Sequence, residues 1–312
     1  MGNSPVVLFV NHKQENCGVY QLFKRMVAPL IHDNWYYIET NEEWEHDHWI
    51  GILQPQIVVY NFYFSGSTMP WLSNGKVDSQ RNKFKQICLF HEGNIDDKRF
   101  DLVLHQDPFN TDTRYFNLPR PIPKYTPVVY PMNLIPKIGT FGFGLGGKGF
   151  GTLVEMVVRD FDIADIRMNI PYAYFGDADG SGARWWANHC RSLLAAHNKP
   201  TISLTITHDL LPEPQLLDFL YGNDLNAFLY DANRGRGLSG TLDYALAAKK
   251  PIAITKSDQF RHMWDTESLV EERNLREIMD GGIGHLLKYH YWWNNTTMQH
   301  AFKTAFSKVL EG

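Results

Sequence analysis

The stretch Ile138-Gly139-Thr140-Phe141-Gly142-Phe143-Gly144-Leu145-Gly146-Gly147-Lys148-Gly149-Phe150 decides how this chain folds. It opens as a short strand, turns through closely spaced glycines and continues into residues with helical spacing. Such a turn aims backbone N–H groups, and the positive end of a helix, at phosphate. A second turn of this kind, Arg234-Gly235-Arg236-Gly237-Leu238-Ser239-Gly240-Thr241, follows about ninety residues later and also leads from a strand into a helix. Together they predict a cleft built for a ligand carrying a diphosphate, with a nucleotide-sugar as the first choice.

Working outward, the same rhythm runs through both halves. Pro5–Val10 reads as a buried strand, Val19–Leu30 as a helix, Trp35–Ile38 as a strand, Trp44–Leu53 as a helix and Ile57–Tyr60 as a strand. Ile87–Phe90 and Leu102–Leu104 follow as strands. Prolines 119, 121, 123, 127, 131 and 136, with Pro108 upstream, are too dense for helix or central strand. The alternation then restarts with strand Lys137–Phe141, helix Gly149–Phe161, strand Ala164–Ile170, helix Ala183–His197 and strand Thr201–Ile206. Helix Pro214–Tyr221, strand Asn226–Tyr230, helix Gly240–Ala248 and strand Ile252–Thr255 complete it, before an amphipathic helix over Thr297–Leu310. Strands alternating with helices predict an α/β fold of two Rossmann-like lobes facing across a cleft. The expected domains are 1–120, a proline-rich linker over 121–137, a nucleotide-sugar-binding domain over 138–296 and a terminal helix over 297–312.

Composition narrows the class. The chain has 312 residues, 44% hydrophobic and 21% charged, with a net charge of −4. That is a globular composition, and it argues against a protein devoted to coating nucleic acid. Cys17, Cys88 and Cys190 are scattered without metal spacing, which points to a reducing compartment. The apolar run Val6–Val10 is too short for a signal-peptide core or a membrane span. A cytoplasmic protein without an integral membrane segment is expected.

Several residues could carry chemistry. Lys148 follows the first glycine turn, where its ammonium could reach a diphosphate. Arg234 and Arg236 flank Gly235 beyond a strand end, and Ser239 is placed to cap the helix from Gly240. His91 and Glu92 follow the strand Ile87–Phe90 and could take a proton from an acceptor hydroxyl. His12 follows the first strand and reads equally well as a surface histidine. Gly18 would let a ligand approach the backbone, and Asn61, Tyr63 and Ser65–Thr68 could line an acceptor side. Asp177-Ala178-Asp179-Gly180-Ser181-Gly182 begins like a calcium loop, but Asn188 stands where the loop needs glutamate, so a helix-start turn is the better account. His46 and His48, two apart on a helix, point to different faces and make a poor metal pair.

From 138 to 256 the chain resembles the donor-binding lobe of retaining GT-B glycosyltransferases of the family 4 type. Their G-R-L-x-x-x-K-G pattern aligns with Gly142 to Gly149, with Lys148 in place and Phe143 where the arginine stands. Their E-G-F-G-L-x-x-L-E-A-M-A-x-G-K-P pattern aligns with Arg236 to Pro251, with Arg236 and Tyr244 at the two glutamates. The resemblance implies sugar transfer from a nucleoside diphosphate donor to an acceptor hydroxyl, retention at the anomeric carbon, and a terminal helix crossing back to the first lobe. The arrangement calls for no metal and no cofactor besides the donor substrate. The catalytic candidates are His91, Glu92, Lys148 and Arg236. Donor binding falls to Gly18, Gly142, Lys148, Arg234, Arg236, Gly237, Leu238, Ser239, Gly240 and Thr241, with Asp243 a weaker candidate for the ribose. The acceptor stays open among a saccharide, a lipid-linked sugar, a small molecule and a modified nucleic-acid base. For the last, Lys83, Lys85, Lys98 and Arg99 would form a basic patch, although a solvated face is the better account of them. The lost glutamates leave a non-catalytic nucleotide-binding scaffold as the alternative class.

Overall fold

The computed structural model describes residues 5–15, 17–62, 69–72, 74–92, 97–128, 133–173, 175–232 and 235–311. The chain divides into two compact units. The first comprises Met1–Pro121 and Trp292–Gly312, and the second Ile122–Tyr291.

The first unit opens with β1 (Val7–Asn11), α1 (Gly18–Val27), β2 (Trp35–Glu39), α2 (Glu43–Leu53) and β3 (Ile57–Phe62). α3 (Asn74–Gln80), β4 (Lys85–Phe90), β5 (Leu102–His105) and β6 (Tyr115–Asn117) follow. The strands form one sheet in the order β2-β1-β3-β4-β5-β6, with every neighbouring pair parallel. β1 is buried along its whole length, as a central strand covered on both faces must be. Its side chains alternate between two cores. Val7 and Phe9 join Ile57, Val59 and the Leu22–Phe23–Met26 face of α1, while Leu8 and Val10 join Val58, Tyr60 and Val77 of α3. Residue 7 faces Trp35 on one side and Ile57 on the other. The sequence order reverses across β1, so the loops after β1 and β3 leave in opposite directions and open a crevice at their carboxyl ends.

The second unit repeats the plan with β7 (Lys137–Phe141), α4 (Phe150–Asp160), β8 (Ala164–Asn169), α5 (Ser181–His197), β9 (Ile202–Thr207) and α6 (Glu213–Tyr221). β10 (Leu225–Phe228), α7 (Thr241–Ala247), β11 (Ile252–Ile254), α8 (Leu275–Gly281) and α9 (Leu287–Trp292) complete it. The sheet order is β11-β10-β7-β8-β9, again parallel throughout. The reversal here lies between β7 and β10, where Ile138 pairs with Leu225. The two glycine turns read from the sequence therefore follow neighbouring strands. Ile138, Ile166, Leu225 and Ala253 of the sheet pack with Leu153, Val154 and Val157 of α4.

The proline-rich residues 118–128 form neither helix nor strand. Tyr125 donates its hydroxyl to Asp218 at 2.7 Å, and the Asn133 amide donates to Asp224 at 3.1 Å, which ties this segment to the second unit. α10 (Asn295–Glu311) belongs to the first unit, where Met298, Phe302, Ala305, Phe306 and Val309 enter the core beside Phe9 and Trp35. The Phe302 ring meets Phe9 edge-on at 5.4 Å. Among the described residues no helix is long and apolar enough to cross a membrane, and all three cysteines are buried and free.

Candidate functional site

In the second unit the turn between β7 and α4 lies at the sheet's reversal point. Its glycines do different jobs. A Cβ at Gly144 would run into the backbone of Ala183, and one at Gly149 would strike the Leu229 carbonyl oxygen. Gly149 also sits at φ +68° as the residue capping α4, a conformation side chains resist. These two glycines exist for close packing. Gly146, by contrast, has open space where a side chain would go, and the Gly147 carbonyl accepts from the Asp231 amide at 3.0 Å. The first-turn amides of α4 have no intrahelical partner, as at any helix start.

Lys148 stands just ahead of this helix. Its ammonium lies 3.9 Å from the centroid of the Tyr230 ring, and among the described residues it has no carboxylate partner. A cation over a ring gains about 0.5–2 kcal/mol, so Lys148 is held loosely. Tyr230 itself is 1% exposed, and its hydroxyl has no hydrogen-bond partner among the described residues. The atoms nearest a Cβ built on Gly142 are the Tyr230 hydroxyl at 3.6 Å, then Lys148 Cδ and Phe150 Cζ at 3.9 Å. Sequence reading placed Tyr230 at the end of a strand. β10 in fact stops at Phe228, which frees Tyr230 to turn under the glycine loop.

The second glycine turn is engaged within the protein. Gly235 N–H donates to Asp258 Oδ2 at 2.9 Å, Ser239 N–H donates to the Gln259 carbonyl at 3.0 Å, and the Arg236 carbonyl accepts from Arg261 at 2.9 Å. Ser239 does not cap α7. The cap residue is Gly240, because the helix begins one residue later than expected; the Ser239 hydroxyl meets the Thr241 hydroxyl at 2.9 Å and accepts from the Thr241 N–H at 3.4 Å. The Leu238 side chain is buried, so only its backbone is available to a ligand. Arg236 is exposed at the surface, Gly237 is half-buried, and Asp243 is fully buried within α7. Tyr244 packs against Phe141 at 6.0 Å, an apolar contact where the resembled family has glutamate. Arg234, Tyr63, Ser65–Thr68 and Gly93 lie outside the described residues.

In the first unit the reversal point is filled by side chains. Asn61 donates to Asn11 Oδ1 at 2.7 Å, and Asn11 donates to the Tyr37 hydroxyl at 2.8 Å and the Tyr20 carbonyl at 3.2 Å. Asn61 Oδ1 meets His91 Nε2 at 2.6 Å. Gln106 donates to the His91 carbonyl, and buried Arg120 donates to Gln106 Oε1 at 2.8 Å. Burial, then the Arg120 charge, pushes the His91 pKa down to about 3. The imidazole is neutral, so Nε2–H donates to Asn61, and it is a weak base. Glu92, the other candidate at this strand end, is half-buried.

His12 is not a surface histidine. It is 0% exposed, and burial lowers its pKa to about 4. Its Nδ1 accepts from the Gln14 amide at 3.2 Å, and its Nε2 has no partner among the described residues. A Cβ at Gly18 would meet open space, which leaves the backbone accessible there.

The decoys resolve by geometry. Asp177 accepts from the amides of Gly182 at 2.6 Å and Ala183 at 2.9 Å, so its carboxylate caps the start of α5. His46 is buried against Tyr60 and Asp47, whereas His48 is exposed. In the proposed basic patch, Lys85 pairs with Asp101 at 3.5 Å and Arg99 with Asp78 at 2.9 Å, which neutralises two of the charges.

No protein-family model matches the chain, and no curated protein matches it in sequence. Solved structures do match along its length. A glycosyltransferase from Rickettsia africae superposes with a TM-score of 0.66 at 12% identity, covering 100% of both chains. Anabaena HepE, in complex with UDP and glucose, gives 0.60 at 11% identity over 97% of this chain and 100% of its own. An Escherichia coli structure described as trehalose-6-phosphate, bound with UDP-2-fluoro glucose, gives 0.64 at 9% identity over 97% and 98%. At such identities the likeness speaks to fold, and it places this chain's two Rossmann-like units in the architecture shared by those proteins.

Proposed function

We propose that the chain is a glycosyltransferase that moves a sugar from a nucleoside diphosphate to an acceptor hydroxyl. The observation that carries this is Lys148, a cation without a carboxylate partner among the described residues, at the reversal point of a parallel sheet, beside glycine backbone and the start of α4. Open parallel sheets bind ligands at that point. As the sugar–phosphate bond breaks, negative charge grows on the departing diphosphate. Lys148 and the helix-start amides stabilise it, with Arg234 or Arg236 in the place of the missing family arginine. These cations supply the charge that a divalent metal would otherwise bring. In the first unit Glu92 accepts the acceptor's proton, and neutral His91 is held in place by Asn61. UDP is the first donor nucleotide to try, because two neighbouring structures contain UDP or a UDP-sugar.

The test is hydrolysis and transfer with UDP-, GDP-, ADP- and TDP-sugars. Turnover of one donor is expected, with Lys148→Ala reducing kcat about a hundredfold at unchanged thermal stability. Absence of both binding and turnover in the wild-type chain would overturn the proposal. Binding without turnover against several acceptors would favour the scaffold, whose support is the apolar Tyr244–Phe141 contact in place of a glutamate.

A further inference from the structure

Tyr230 has a feature that packing does not account for. A phenylalanine would fill the same volume against Phe260, whose ring lies 4.7 Å away, and would carry the same cation contact with Lys148. The hydroxyl adds only a buried polar group without a partner among the described residues, which destabilises a fold unless something else uses it. Its position is specific. It lies 3.6 Å from where a Cβ on Gly142 would stand, so the absence of a side chain at Gly142 leaves this space clear. The nearby atoms include Lys148 Cδ, part of a flexible stem whose ammonium currently rests on the Tyr230 ring.

We propose that the Tyr230 hydroxyl is a donor-binding group that hydrogen-bonds a phosphate oxygen of the nucleotide once Lys148 swings off the ring toward the same phosphate. This rests on the donor site proposed above. Lys148 then has two stations. Without ligand it covers the ring and screens the hydroxyl. With a diphosphate present the ammonium follows the stronger charge, its stem clears Gly142, and the hydroxyl gains its acceptor. Hydroxyl and ammonium would then grip the anion beside the backbone at the start of α4.

Tyr230→Phe separates this role from a structural one, because the two move stability and affinity differently. The wild-type chain and Tyr230→Phe are titrated calorimetrically with UDP, GDP, ADP and TDP, then with the nucleoside of whichever diphosphate binds. Thermal midpoints are recorded without ligand. Expected is a midpoint equal to or above wild type, an affinity for the diphosphate lower by five- to twentyfold, and an unchanged affinity for the nucleoside. A diphosphate affinity within twofold of wild type would overturn the hydroxyl's role and leave the donor site standing. An equal loss for nucleoside and diphosphate would overturn the phosphate contact. A lower midpoint with proportionate losses for every ligand would make the hydroxyl structural. If the wild-type chain binds none of the four diphosphates, the donor-site proposal fails, and this one with it.

Discussion

The two units use the same sheet plan and finish it in opposite ways. Where the first sheet reverses, the crevice is stitched shut by side chains, Asn11 to Asn61 to His91, all buried and bonded to one another. Where the second sheet reverses, the space is bounded by glycine backbone, with one lysine resting on a tyrosine ring. A bonded amide–imidazole chain fixes the geometry of a neutral surface. A loop of glycine backbone with a loosely held cation can rearrange around an anion. Topology therefore nominates both places, and among the described residues the second sets Lys148 beside glycine backbone at its reversal point.

The sharpest way to break this contrast is Gly149→Ala. The new methyl group would collide with the Leu229 carbonyl at a positive φ, and we expect a loss of at least about 3 kcal/mol in urea unfolding. The loss should be confined to the second unit's transition, if the two units unfold separately. A change below about 1 kcal/mol would mean that the turn is not packed as described. Next in size is the first unit's response to pH. His12 and His91 have folded pKa values near 4 and 3, below the ordinary 6.5 of the unfolded chain. Between those limits the unfolded state binds more protons. Stability is thus full above about pH 6.5 and declines on acidification, by about 1.4 kcal/mol per pH unit for each histidine. His91→Gln should flatten this slope between pH 6.5 and 5, measured by denaturation at several pH values. An unaltered slope would show that His91 does not titrate as its burial demands. The smallest effect is expected from Gly146→Ala, within about 0.5 kcal/mol of wild type, because open space surrounds that position. Together with Gly149→Ala it tests whether the glycines of one turn really divide into packing and open positions.

Much of the fold was legible because buried parallel strands announce themselves as short apolar runs. The strands anticipated at 5–10, 35–38, 57–60, 137–141 and 164–170 all occur, with ends shifted by up to two residues. β6 was missed because Tyr115–Asn117 is three residues long and sits at a sheet edge among prolines and polar residues. α3 was missed because Asn74–Gln80 has little apolar periodicity, with Val77 its main core contact. For the site, the strand ends and the glycine turns could be read, since both are local patterns. What could not be read was which amides were already engaged. The contact of Ser239 with Gln259 joins residues twenty apart, and His12 is buried with its ring 5.7 Å from that of Tyr20 on α1. Tyr230 had no sequence signal beyond its place after an apolar run, and an unpartnered hydroxyl is visible only in three dimensions.

The helix α10 carries a consequence for biosynthesis. Its Met298, Phe302 and Phe306 cover one face of a sheet whose strands are made before the whole second unit is translated. At roughly 5–20 residues per second, that face waits on the order of ten to thirty seconds for its cover. During that interval Phe9, Trp35 and their neighbours lack the cover that Met298, Phe302 and Phe306 supply in the finished chain.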